Sequence, residues 1–96
     1  MIGLVVTLKV KPGSEADFEA AMGELIPQVR ANEPACKLYV LHKDPKEAGT
    51  YVMMEHYADQ AALDAHGKTP YFGAALPKLG ATLAGAPVTM RLDVVL

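Results

Sequence analysis

A single cysteine, Cys36, stands in the 96 residues. No internal disulfide can form, and the chain reads as a protein of a reducing compartment, with the cytoplasm as the expected location. No apolar run approaches the roughly 20 residues that span a bilayer, which argues against a membrane partner. Lys and Arg number 9 against 11 Asp and Glu, a net charge of -2, and no basic cluster stands out. Nucleic acid and anionic lipid both require a concentrated basic face, so neither is expected as a partner. The opening MIGLVVTLKV has no charged region ahead of its apolar residues and no small-residue cleavage site; it reads as a strand and not as a signal. A phosphate-cradling glycine loop is also missing. Gly13, Gly49, Gly67 and Gly85 stand at turns, so no nucleotide or nicotinamide cofactor is implied. His42, His56, His66 and Cys36 lack the spacing of zinc ligands, and no metal is expected.

What is present is apolar residue, 51% of the chain. Residues 1–96 are read as one domain, too short to be comfortably stable alone. The apolar excess points to a second buried surface, most simply a subunit interface.

In the first segment Ile2, Leu4, Val6, Leu8 and Val10 alternate with Gly3, Val5, Thr7 and Lys9. Period two over ten residues predicts a strand, and apolar residues on both faces predict a central one. Lys11-Pro12-Gly13 breaks it. Ser14-x-x-Asp17 resembles a capping box, and Phe18, Met22, Leu25, Ile26 and Val29 form one stripe of an amphipathic helix. Pro27 predicts a kink without an ending, and Asn32-Glu33-Pro34 the end. Cys36–Lys43 and Thr50–Tyr57 read as an antiparallel hairpin across Asp44–Gly49. Asp59 then caps a short helix that stops at His66-Gly67, and Thr69-Pro70 starts another. Leu79–Gly85 reads as a frayed turn or short helix. Val88, Met90, Leu92 and Val94 alternate with polar residues in a last strand.

The order β-α-β-β-α-β predicts an α+β, ferredoxin-like fold with a four-stranded antiparallel sheet and helices on one face only. The bare face would carry the Ile, Leu and Val row of the first strand or the comparable row of the last. Such a patch exceeds what a monomer ordinarily exposes, so the expected remedy is a homodimer packed sheet to sheet.

Three segments carry a resemblance: VKPGSEADF (Val10–Phe18), NEPAC (Asn32–Cys36) and EHYADQAALDAHGKTPYF (Glu55–Phe72). Together they resemble the antibiotic-biosynthesis-monooxygenase domain over nearly the whole chain. The resemblance implies a dimeric α+β barrel of two ferredoxin-like sheets. It also implies one of three activities: cofactor-independent oxygenation of quinols or polycyclic phenols with O₂, haem degradation, or isomerisation of small phosphorylated signalling sugars. Where family members usually have Gly, Trp or Tyr, and often a second His, this chain has Ala35, Tyr57 and Tyr71. The haem-degrading branch places an Asn, a Trp and a haem-ligating His where this chain has Thr7, Tyr57 and Leu76. Leucine cannot ligate iron, so haem degradation is not expected, and neither is any other cofactor.

His66 is the candidate general base. An oxygenase without a cofactor must draw its electrons from the substrate, and removing a proton from a phenolic hydroxyl makes the substrate electron-rich enough to reduce O₂. The structural alternative is a histidine favoured at a helix C-terminus by the helix dipole. Glu55 and Tyr57 share a strand face; Glu55 is the candidate to orient a histidine and Tyr57 to bond a substrate oxygen. Against this, strand glutamates ordinarily pair with Lys or Arg, and strand tyrosines ordinarily pack. Thr7, Tyr71, Phe72 and Leu76 are candidate substrate-binding residues. Cys36 reads as a structural thiol, and the methionines as core filling. Two rival readings stay open: isomerisation of a small hydroxyketone by the same base, and a ligand-binding dimer without turnover. RNA binding, which the same element order serves elsewhere, is disfavoured because TYVMMEHY lacks the glycine-aromatic pattern and carries an acid.

Overall fold

A computed structural model of the chain describes residues 1–96. Strands β1 (Ile2–Lys9), β2 (Cys36–Lys43), β3 (Thr50–Tyr57) and β4 (Val88–Asp93) form one antiparallel sheet in the order β2-β3-β1-β4. Helices α1 (Glu15–Asn32), α2 (Gln60–Gly67) and α3 (Pro70–Thr82) cover one face. This is the ferredoxin-like arrangement, with β1 inside the sheet as its two-sided apolar pattern requires.

Register decides which side chains face the helices. Leu4, Val6 and Leu8 of β1 lie opposite Glu55, Met53 and Tyr51 of β3, and Tyr39 and Leu41 of β2 lie opposite Glu55 and Met53. Of these, Val6, Leu8, Met53, Tyr51, Tyr39 and Leu41 meet Phe18, Met22, Leu25 and Val29 of α1 and Ala75 and Leu79 of α3 in the core. Phe18 and Val29 are wholly buried and Leu25 nearly so, each contributing about 1.5–3 kcal/mol by removal from water. Of the two rows expected on the bare face, the Ile, Leu and Val row of β1 is therefore not there, and the comparable row of the last strand is. The β1 row lines the core, and the bare face carries the other parity: Val5 and Thr7 with Val52, Met54, Val40 and Leu38, and with Val88, Met90 and Leu92 of β4. The more apolar row went to the interior, where burial is complete within one chain.

Helix ends mostly follow their signals. Asp59 caps α2 by accepting from Ala62 N at 2.9 Å, and Pro70 opens α3. The capping box at Ser14 does not form. Ser14 has φ -101° and ψ 4°, outside the extended geometry a cap needs, and its side chain makes no cap bond. Glu15 Oε1 instead accepts from Gly13 N at 2.8 Å. α1 passes Pro27 without ending. α3 runs through Pro77 to Thr82, into the stretch expected as a frayed turn or short helix, and Leu83 then bridges Val10.

Candidate active site

α2 is barely two turns long, and its work is to deliver His66. The Asp59 cap holds its start. At its end Thr69 Oγ1 donates to the His66 carbonyl at 2.9 Å, which fixes the corner into α3. The imidazole enters between sheet and helices and is buried. It packs at 4.6 Å from the Phe72 ring, 5.3 Å from Tyr39 and 5.5 Å from Tyr57, centroid to centroid.

His66 Nδ1 lies 3.0 and 3.2 Å from the two carboxylate oxygens of Glu33. The Tyr71 hydroxyl donates to Glu33 Oε2. An oxygen pair that accepts from both neighbours calls for a proton on Nδ1, and the neutral ring then keeps its lone pair on Nε2. Nε2 has no protein partner, and no buried side-chain polar atom is sealed without one. It therefore opens onto the cavity that His66 lines.

That cavity measures about 350 Å³. Leu4, Val6 and Leu8 floor it, Met22 and Leu25 of α1 and Met53 of β3 close its depth, and Leu63, Phe72, Leu76 and Leu79 wall it. Its polar lining is confined to His66, Glu55, Tyr39 and Thr89. Glu55 accepts from the Tyr57 hydroxyl at 2.6 Å. Burial pushes its carboxyl above the ordinary 4.5, the Tyr57 bond and His66 pull it down, and the Glu33 charge adds to the upward push. Burial, with the neighbouring Glu55 charge, drives the Tyr57 and Tyr39 phenols far above their ordinary range.

Of the residues expected in the site, the structure brings His66, Glu55, Phe72 and Leu76 to the cavity wall. Tyr57 stands behind Glu55, wholly buried, with its hydroxyl spent on that carboxyl and not on a ligand. Glu55 does not orient the histidine; Glu33 does. Tyr71 faces the groove between α1 and α3 and reaches the site only through Glu33. Thr7 is displaced altogether: opposite Val52 and Val88, it lies on the far side of the sheet, because its parity is odd where the cavity floor is even. His42 and His56 share that far side. No three His, Cys, Asp or Glu side chains gather in a set that would hold a metal ion, and no helix is long and apolar enough to cross a membrane.

Glu33 and Tyr39 escaped the sequence reading. Glu33 ends α1, where the helix dipole disfavours a carboxylate. An acid in that place was the available sign that something else required it.

Comparison with known proteins bears on the family and the fold. The profile of the antibiotic biosynthesis monooxygenase family matches residues 1–78. A crystal structure of a candidate antibiotic biosynthesis monooxygenase from Caulobacter crescentus CB15 superposes with a TM-score of 0.95 at 48% identity, over 98% of this chain and 89% of that one. The candidate monooxygenase YcnE of Bacillus subtilis (strain 168) is 36% identical over 99% of this chain and 94% of its own. Protein sll1783 of Synechocystis, whose name states no activity, is 37% identical over 68% of this chain, and the match spans 44% of its length. The chain belongs to the antibiotic biosynthesis monooxygenase family.

Proposed function

We propose that the protein is a cofactor-independent monooxygenase of a quinol or phenolic compound, with His66 as general base. One observation carries the reading: a buried histidine, tied through Nδ1 to Glu33, presents a free Nε2 to an apolar cavity. A phenolic hydroxyl against Nε2 gives up its proton to it. Glu33 steadies the imidazolium that forms, as a buried carboxylate 3.0 Å away must. The phenolate is electron-rich and reduces O₂ one electron at a time. Over the whole reaction the substrate supplies all four electrons: hydroquinone plus O₂ gives hydroxyquinone plus water, one oxygen atom entering a ring carbon and the other leaving as water. Apolar walls keep solvent from the oxygen intermediates.

The active form in this reading is a homodimer. β4 leaves Val88, Met90 and Leu92 at 69, 57 and 47% exposure, on the same face as Met54. Packing that face on its copy takes this apolar row out of water.

Oxygen uptake over a panel of quinols and polyphenols tests the chemistry. His66→Ala is expected to abolish uptake on any compound the wild type oxidises. Glu33→Gln is expected to lower kcat by about 10- to 100-fold, within the range proton transfer contributes. Full turnover by His66→Ala, or product formation without oxygen consumption, overturns the reading.

A further inference from the structure

Three side chains on the cavity wall are each more than nine-tenths buried and each keep a polar atom free. His66 is 4% exposed, Tyr39 5% and Glu55 7%. The Tyr39 hydroxyl makes no hydrogen bond to the protein. Glu55 uses Oε1 for the Tyr57 hydroxyl at 2.6 Å and leaves Oε2 without a protein partner. Since no buried side-chain polar atom is sealed without a partner, these atoms open onto the cavity that both residues line. Glu55 and Tyr39 are direct partners across β2 and β3, so their free atoms belong to one patch. Leaving a buried polar group unpaired is unfavourable. A pure hydrocarbon pocket has no use for three of them.

We infer that the ligand carries two oxygen functions, one set against His66 Nε2 and the second hydrogen-bonded to the Glu55 carboxyl beside the Tyr39 hydroxyl. This rests on the oxygenase reading for the role of His66, and adds a specificity residue that the reading does not need. No Lys or Arg pairs with Glu55. With Tyr57 donating to Oε1, Oε2 is left to meet the ligand's second oxygen. The carboxyl accepts from that second hydroxyl while His66 withdraws the proton from the first, and the Tyr39 hydroxyl beside it supplies a donor for the negative charge delocalised through the ring. Tyr57 is a positioning residue in this arrangement, because it fixes which carboxyl oxygen stays free.

Calorimetric titration without oxygen, using 1-naphthol and 1,4-naphthohydroquinone as probes, separates the second contact from turnover. The wild type is expected to bind the naphthohydroquinone about tenfold more tightly than the naphthol, the worth of one buried hydrogen bond. Glu55→Gln, whose amide oxygen also accepts a hydrogen bond, keeps most of that preference. The double variant Glu55→Leu/Tyr57→Phe, which leaves no orphaned hydroxyl in the core, loses it while its naphthol affinity stays within about twofold. Equal affinities in the wild type, no measurable binding of either probe, or a preference that survives the double variant overturns the inference. Oxygen uptake by the same proteins keeps the two readings apart. A two-oxygen preference without uptake upholds the inference and sinks the oxidation; uptake with equal kcat/KM on both probes does the reverse.

Discussion

At the scale of single residues, the polar content of the interior is concentrated in one corner. Glu33, Tyr71, His66, Tyr39, Glu55, Tyr57 and Cys36 all border it, and burial displaces the ionisation of Tyr71, Tyr39, Glu55, Tyr57 and Cys36 upward. Cys36 is the member with no part in the proposed chemistry. Burial, followed by the charges of Glu33 and Glu55, pushes its thiol up from 9.0 to about 11. Only the thiolate attacks an alkylating agent, and raising the pKa lowers the thiolate fraction at neutral pH. Iodoacetamide at pH 7.5 is therefore expected to modify Cys36 about 100-fold more slowly than an unperturbed cysteine. The rate should still climb about tenfold per pH unit at pH 9 to 10, where an ordinary thiol has begun to level off. A rate that levels off near pH 9 shows that the thiol is not held neutral, and with it that the corner is less dry than its packing indicates.

At the scale of elements, the legible and the illegible separate by physical cause. Period-two alternation, the Asp59 cap and the Thr69-Pro70 start are local signals, and each stands in the fold where it was read. Thr7 was placed by position in a family pattern and not by face. Strand parity alone, together with the decision on which row of β1 faces the helices, determined its fate, and that decision depends on packing from α1 and α3. Glu33 lay inside a segment read as a helix stop and as part of the family resemblance, with no role of its own, since its partners His66 and Tyr71 come from 33 and 38 residues away. The turn before β3 is a case where local geometry and tertiary contact agree. Gly49 has φ +79°, and a Cβ built there would meet the Val10 carbonyl oxygen at 2.9 Å. Its own carbonyl accepts from Val10 N at 2.8 Å, so the turn cannot retreat without losing that bond. Gly49→Ala is expected to lower stability by at least about 1–2 kcal/mol, the cost of a left-handed residue with a Cβ. Urea denaturation measures it. Gly67→Ala, where a Cβ meets nothing within 4 Å and φ is not positive, is the matched control and should change stability little.

At the scale of the molecule, the sheet has two unlike faces and only one is covered. Helices bury the even row of β1. The other face holds Val5, Val40, Val52 and Leu38 half-exposed, and Met54 lies among them on the inner strand β3 at 39% exposure. β4 goes further: all six of its residues are exposed although it is paired along β1, because no helix reaches over it. A strand of that composition held at a sheet edge invites association unless something covers it. A two-fold copy would set the same apolar patch against itself. Met54 is the position that tests this without touching the core, since its side chain contributes to the bare face and not to the helix side. In Met54→Lys each copy would carry an ammonium group into a sheet-to-sheet interface without a counter-charge, a cost of several kcal/mol that a dimer interface cannot absorb. Sedimentation equilibrium at micromolar concentration is expected to give twice 10.2 kDa for the wild type and 10.2 kDa for Met54→Lys. The far-ultraviolet circular dichroism of the two should match. If the wild type sediments as a monomer, the apolar face is not a self-association surface and the dimeric reading fails. If Met54→Lys remains dimeric, the contact is made elsewhere than across the sheets.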